Sequence, residues 1–374
     1  MENFLTPYLF CGKVTEPGCE VVSLYADQAP EGDMAPAVCE QFKIPKFATV
    51  AEALCVGGKD LAVDAVLLIG EHGDYPKTKQ GIVMYPRKQL FDQCVEVMRK
   101  SGKVVPLFND KHFSYRYDWS REMYDTAKGM NMPLMAGSSV PLAERRPSLE
   151  MPAGAKIREA TSIHSGPLES YDFHGLEVLQ SMVESRQGGE TGVASVQYLG
   201  KEEVMESAKR GEWSLDLAKL ALKARDGEGV ELSPNHGILL QYKDGMKGLV
   251  LSVNGKASTW GFAARVEGRD EPIATSFYVG PWNNRNLFKA LSHAIQHFFR
   301  TQKSPYPVER TLLTSGILDA MMRSVDEKGK AISTPELSIS YLPQDFQALR
   351  ENGETWKRIT DAIEQPKGIV PVLP

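Results

Sequence analysis

The run Val104–Trp119, VVPLFNDKHFSYRYDW, ends an apolar segment in Asn109, Asp110, Lys111 and His112. An acid, an amine and an imidazole at the tip of a buried strand can hold a hydroxyl and move its proton. As a plain strand-end loop they would only be solvated. Other polar clusters end apolar runs in the same way: Asp27 closes Glu20–Asp27, Glu71, His72 and Asp74 follow Leu61–Gly70, and Ser138 and Ser139 end Met132–Ser139. Further on, Tyr171, Asp172, His174 and Glu177 open a helical pattern, with His174 and Glu177 on one face. Asp172 is a helix cap on the plain reading and a catalytic partner of His174 on the functional one. His72, His112, His174 and Glu177 offer donors that suit a divalent metal, without a local ligand spacing to mark them. His293 and His297 have i, i+4 spacing but lack the glutamate of H-E-x-x-H, and read as a solvated or interface face.

What must position these residues is an alternation of short apolar runs and helical patterns over residues 1–150. Strands are expected at Glu20–Asp27, Leu61–Gly70, Val104–Phe108 and Met132–Ser139. Helical spacing recurs between them, as in Leu90, Phe91, Cys94, Val95 and Met98, closed by Gly102. Strand, helix, strand in this rhythm predicts a parallel sheet with crossover helices. In such a sheet the loops at the carboxyl ends of the strands form a crevice, which brings the polar clusters to one edge. After the Pro-rich stretch RRPSLEMPAGAK the pattern changes to one helix at FHGLEVLQSMVES and then several strand-like runs. Asp244-Gly245 is a hairpin signal between two of these. The fold class expected is α/β: a parallel-sheet domain over 1–150, then an α+β domain over 151–374 with a large, mostly antiparallel open sheet. Two late helices, NLFKALSHAIQHFFR and ERTLLTSGILDAMMRS, pack on that sheet, and GIVPVLP is expected to be an extended tail. RQGGETGV fits no phosphate-loop spacing and reads as a connection, with Arg186 and Glu190 able to face the cleft. Trp260, Phe262, Phe277 and Tyr278 read as packing residues.

A net charge of −5 over 374 residues, with no block of Lys and Arg, argues against nucleic acid as a partner. No apolar stretch reaches the roughly 20 residues of a membrane helix, and no signal-peptide pattern opens the chain. Five cysteines, none in a C-x-x-C, argue for reduced thiols and a cytoplasmic protein.

In order and spacing these segments resemble the Gfo/Idh/MocA family of oxidoreductases. VVSLYADQ is similar to the family's second strand with its ribose-binding acid, FKIPKFATVAEAL to its G-I-P…E-x-L segment, and LAVDAVLLIG to its D-A-V-x-I strand. FNDKH falls at the Glu-Lys-Pro motif, which puts Lys111 in the place of the motif lysine. YDFHGLEVLQSMVE is similar to the H-x-x-D helix, with His174 and Glu177 at its two positions. PYPVERTLLTSGILDAMMRS resembles the final helix. The resemblance implies a Rossmann-like domain, NAD or NADP as cofactor, and a small carbohydrate-like substrate. It further implies a homo-oligomer through the C-terminal sheet. Lys111, His174 and Asp172 would be catalytic, and Glu71, His72, Asp110, His112, Tyr171, Glu177 and Arg87 would bind substrate. Asp27 would bind the adenosine ribose and favour NAD over NADP.

Three departures stand out. The family's first strand and its G-x-G-x-x-G turn are expected ahead of Glu20, yet residues 1–19 contain only Gly12 and Gly18. The parallel domain is therefore expected to be incomplete and its pyrophosphate cradle missing. Glu-Lys-Pro has become Asp-Lys-His. The loop Gly73–Gln89 is long and brings Tyr75, Tyr85 and Arg87 toward the crevice mouth. These departures open two alternatives: non-redox carbohydrate chemistry (elimination, epimerisation or hydrolysis), with or without a metal, or a non-catalytic sugar-binding protein.

Overall fold

The computed structural model describes residues 1–255, 259–282, 284–366 and 369. The expected tail GIVPVLP lies outside the described residues except for Ile369. The chain opens with α1 (Glu2–Leu5) and a hairpin of β1 (Tyr8–Phe10) and β2 (Lys13–Thr15). Next come β3 (Leu24–Tyr25), α2 (Ala35–Phe42), β4 (Lys46–Phe47), α3 (Val50–Leu54), β5 (Val66–Leu68), α4 (Arg87–Ser101), β6 (Leu107–Asp110), α5 (Tyr117–Gly129) and β7 (Leu134–Gly137). The helices start and stop for local reasons. Thr49 caps α3 in a capping box with Glu52, and Gly102 ends α4 in the left-handed conformation that glycine adopts without strain.

The parallel strands do not form one sheet. β3 and β4 pair with each other, while β5, β6 and β7 make a separate three-stranded sheet. The expected strand Glu20–Asp27 shrinks to Leu24–Tyr25, because only β4 pairs with it. An apolar cavity of about 620 Å³ fills the space between the two sheets, lined on one side by Val22–Tyr25 and on the other by Val66–Ile69.

The second region is built from β8 (Glu144–Arg146), β9 (Ile157–His164), α6 (Ser170–Val183), β10 (Val193–Leu199), α7 (Lys201–Lys209), α8 (Leu215–Asp226), β11 (Pro234–Tyr242), β12 (Lys247–Val253), β13 (Trp260–Val266) and β14 (Ile273–Tyr278). It closes with α9 (Asn284–Leu287), α10 (Lys289–Thr301), α11 (Glu309–Asp326) and β15 (Ile332–Ser333). Eight strands form one sheet in the order β15-β10-β11-β12-β9-β13-β14-β8. Only β12 and β9 run parallel within it. Alternate side chains face alternate layers. Ile238, Leu240, Val250 and Val196 share a core with α6 and α11, while Ile163, Leu249, Leu251 and Ala263 share one with α8.

Two features depart from the sequence expectation. β9, in the middle of the sheet, carries Arg158, Glu159, Thr161, Ser162 and His164, so its composition does not look central. Two of these residues are turned to α6: Ser162 Oγ donates to the Gly175 carbonyl at 2.8 Å, and His164 Nε2 lies 3.0 Å from Asp172 Oδ1. The second region also holds more helix than expected: α7 and α8 cover the outer face. The chain enters the large sheet at β8, ahead of most of the Pro-rich stretch.

Candidate functional site

Lys111 stands where β6 ends. Its backbone turns into the left-handed region at φ 59°, and its N–H donates to the Gly137 carbonyl at 3.1 Å, tying the tip of β6 to that of β7. The side chain reaches across to Glu71, after β5, and the ammonium bonds Glu71 Oε2. Asp110, buried beside them, completes a cluster of two acids and one amine. Burial raises the Asp110 carboxyl well above the carboxylate range, and the neighbouring Glu71 raises it further, against the pull of Lys111 and Arg87. Burial would also raise Glu71, but the Lys111 ammonium more than reverses this and holds that carboxyl below its ordinary value. One acid is thus kept as an anion and the other biased toward its neutral form.

His112 and Arg87 turn inward. The Arg87 side chain is 1% exposed, far from the open crevice mouth expected for it. Its Nη1 lies 3.3 Å from His112 Nε2, which also sits 3.2 Å from Glu169 Oε1. Burial and the Arg87 guanidinium push the His112 imidazole below its ordinary pKa, against Glu169. Glu169 caps α6 in a reciprocal capping box with Asp172, so the His112 loop is fastened to the start of α6.

That first turn of α6 delivers His174 and Glu177 to the tip of β7. Glu177 Oε1 accepts the Ser138 backbone N–H at 2.9 Å, and Oε2 accepts the Ser138 hydroxyl. Ser138 Oγ also lies 3.0 Å from His174 Nδ1. The close approach requires Gly137, at φ 129°, because a Cβ there would stand 2.8 Å from Glu177 Oε1. Tyr171 and Trp260 flank the imidazole edge-on at 5.7 and 6.0 Å.

Asp172 points the other way, into the large sheet. His236, Ser252, His164 and Trp260 lie in register across β11, β12, β9 and β13. The small Ser252 leaves room between the two histidines for the Asp172 carboxylate. Its Oδ1 is 3.0 Å from His164 Nε2 and 2.8 Å from His236 Nε2, while Oδ2 accepts the Glu169 N–H at 2.7 Å. Burial alone would raise this acid, but the two imidazole bonds hold it far below the carboxylate range. Asp172 thus anchors the helix that carries His174.

The metal set His72, His112, His174 and Glu177 does not assemble. His72 is exposed, His112 is spent on Glu169, and His174 and Glu177 are joined through Ser138. Among the described residues the one trio with metal-type donors in reach is His164, Asp172 and His236, within 4.8 Å of one another. Three N–H groups already satisfy its carboxylate, so it reads as a hydrogen-bonded anchor. Asp27 accepts the hydroxyls of Tyr25 and Tyr75, each at 2.8 Å, and Gln28 holds the backbone of Asp74. The long loop is therefore pinned over the acid expected to bind ribose. Arg186 and Glu190 pair with each other, and both are buried rather than turned to an open cleft. His293 accepts or donates a bond with Tyr8 Oη at 2.9 Å and stacks on Phe10, so that helix face meets the N-terminal hairpin. Sequence reasoning gives no role to Ser138, Glu169, His164 or His236. Their only signal is position, at strand ends and just before a helix.

No family model matches the sequence, and no curated protein matches it. Solved structures do. A probable dehydrogenase from Thermotoga maritima superposes with a TM-score of 0.51 at 14% identity, over 84% of this chain and 92% of that one. A putative myo-inositol dehydrogenase from Sinorhizobium meliloti gives 0.52 at 13% identity, over 84% and 92%. GenD2 from gentamicin A biosynthesis, solved with NAD, gives 0.55 at 11% identity, over 85% and 90%. The chain shares the fold of these solved structures, with a parallel sheet and a large, mostly antiparallel one, as the resemblance in the sequence implied.

Proposed function

We propose that the crevice between the tips of β5–β7 and the start of α6 acts on a hydroxyl of a sugar or polyol, as part of an NAD(P)-linked oxidoreductase. The observation that carries this reading is that two proton-handling residues stand at adjoining strand tips. The Lys111 backbone N–H bonds the Gly137 carbonyl, and the next residue, Ser138, bonds His174. Lys111, charge-balanced by Glu71, would hold the substrate hydroxyl, and the His174 imidazole would take or return its proton. Asp110, Tyr171 and Glu177 would shape the pocket around them. Structural relatives that carry NAD or act on inositols support the substrate class and the cofactor.

The residues present fit that cofactor only in part. Asp27 is available as a ribose acid only if Tyr75 releases it, and no glycine-rich turn opens a helix beside β3 among the described residues. This same observation favours the second reading, non-redox chemistry on a carbohydrate in the same crevice.

A fluorescence titration of the folded chain with NAD(H) and NADP(H) separates the two. Micromolar binding, with reduction of NAD⁺ that depends on added inositol or another polyol, is the expected result. Lys111→Met should then slow turnover by roughly 10²–10⁴-fold. No dinucleotide binding by a folded chain removes the redox reading and leaves the second.

A further inference from the structure

The Ser138 hydroxyl has one proton to give and two lone pairs to fill. We propose that Ser138, oriented by Glu177, fixes the His174 tautomer with its proton on Nδ1, leaving Nε2 as the free base. Every group around Ser138 Oγ fits that assignment. Glu177 Oε2 takes the hydroxyl proton, the Val140 N–H fills one lone pair at 3.3 Å, and His174 Nδ1–H at 3.0 Å fills the other. The opposite tautomer fails on inventory. With the proton on Nε2, the Nδ1 lone pair would face Ser138 Oγ and need its hydroxyl proton. Glu177 Oε2, in a side chain 1% exposed, would then lose its donor. Glu177 cannot turn away to compensate, since its other oxygen is held by the Ser138 backbone N–H at 2.9 Å. Ser138 and Glu177 are thus positioning residues that act through His174, as the buried partner of a histidine does when it selects which ring nitrogen is free.

The inference deepens the proton-handling role proposed above, but its test needs neither substrate nor cofactor. Protein labelled with ¹⁵N-histidine carries seven histidines, and the His174 signals are assigned by their loss in His174→Asn. Long-range ¹H–¹⁵N correlation near neutral pH then reads the tautomer directly. The wild-type ring should show a protonated Nδ1 and an unprotonated Nε2. Glu177→Gln should invert it. With the Gln carbonyl oxygen kept on the Ser138 N–H, its amide NH₂ takes the place of Oε2 and donates to Ser138 Oγ. The hydroxyl proton must then turn to His174 Nδ1, moving the ring proton to Nε2. Ser138→Ala, which removes only the hydroxyl, should shift the ring toward the Nε2–H form that free imidazoles favour, whether or not the Gln variant folds. A wild-type ring protonated on Nε2 overturns the proposal, and so does a Ser138→Ala ring that keeps Nδ1–H. If the tautomer proves right but no dinucleotide binds, the redox reading fails and this one stands.

Discussion

The two sheets of this molecule are built to different standards. The eight-stranded sheet is continuous, covered by helices on both faces, and backed by a matched buried charge pair. Arg310 is fully buried and bonds Glu184 through two nitrogens, with Nε to Oε2 at 2.8 Å, while Tyr341 adds a third bond to that acid at 3.0 Å. The parallel region is divided, with a cavity where a continuous sheet would have backbone. The residues proposed for chemistry sit where the two meet, and they draw differently on each side. His174 and Glu177 rest on a helix anchored by Asp172 in the well-packed sheet. Lys111 rests on a strained strand tip, beside an acid that burial disfavours as an anion. The C-terminal side supplies fixed geometry, and the N-terminal side supplies perturbed charge.

The largest effect that tests this contrast comes from breaking one ion pair on each side. Arg310→Met leaves Glu184 as a buried, uncompensated carboxylate and should cost about 3–5 kcal/mol in urea unfolding. Lys will not rescue it, because a point charge cannot make the forked contact. In the parallel region, Asp92→Asn removes one partner of Lys88 at 2.6 Å from a half-exposed site. That change should stay within about 1 kcal/mol. A small cost for Arg310→Met would mean that the C-terminal layer is not the rigid frame argued above.

The next contrast reverses sign. Ala264, in β13, is fully buried among well-packed neighbours, so Ala264→Leu should destabilise by about 1–3 kcal/mol through overpacking. Ala53, in α3, borders the apolar cavity. Ala53→Leu puts methyl groups into empty space and should stabilise by about 0.5–2 kcal/mol. Equal losses at the two positions in a thermal melt would show that the cavity closes in solution.

Much of this architecture is visible in the sequence, and what is hidden has a physical cause. The β5, β6 and β7 runs are apolar because helices cover both faces, and their tips carry the polar residues that mark the crevice. Lys111, Asp110, His174 and Glu177 are all legible as chemistry-bearing types at element ends. β9 is hidden because Ser162 and His164 bond to α6 and Glu159 accepts the Ser214 N–H ahead of α8, which only the fold reveals. The Asp172 anchor is hidden for the same reason: His164 on β9 meets Ser252 and His236 on a hairpin much further along the chain. Arg87 misleads because an arginine after a long polar loop looks exposed, whereas here it lies under the His112 loop.

The smallest shift is expected at the seam, where opposing charges partly cancel. Glu71 is held low by Lys111, so its contribution to stability is present above its unfolded pKa and lost as the pH falls through the lower folded value. Asp110 works in the other direction. Its folded carboxyl binds the proton more tightly than the unfolded one, so stability falls as the pH rises above the ordinary carboxylate range. That slope cannot exceed about 1.4 kcal/mol per pH unit for one group, and the Lys111 and Arg87 charges facing it narrow the pH range over which it acts. Asp110→Asn removes the ionisable group and keeps its shape. It should raise the melting temperature over the parent at about pH 8, with the gain shrinking as the pH falls to the ordinary aspartate range and below, where the unfolded carboxyl also takes its proton. A parent that gains stability over that range, with no benefit from the asparagine, would show Asp110 to be a second counter-ion of Lys111. The crevice would then carry two anions around its amine, and its fit to a neutral hydroxyl would weaken.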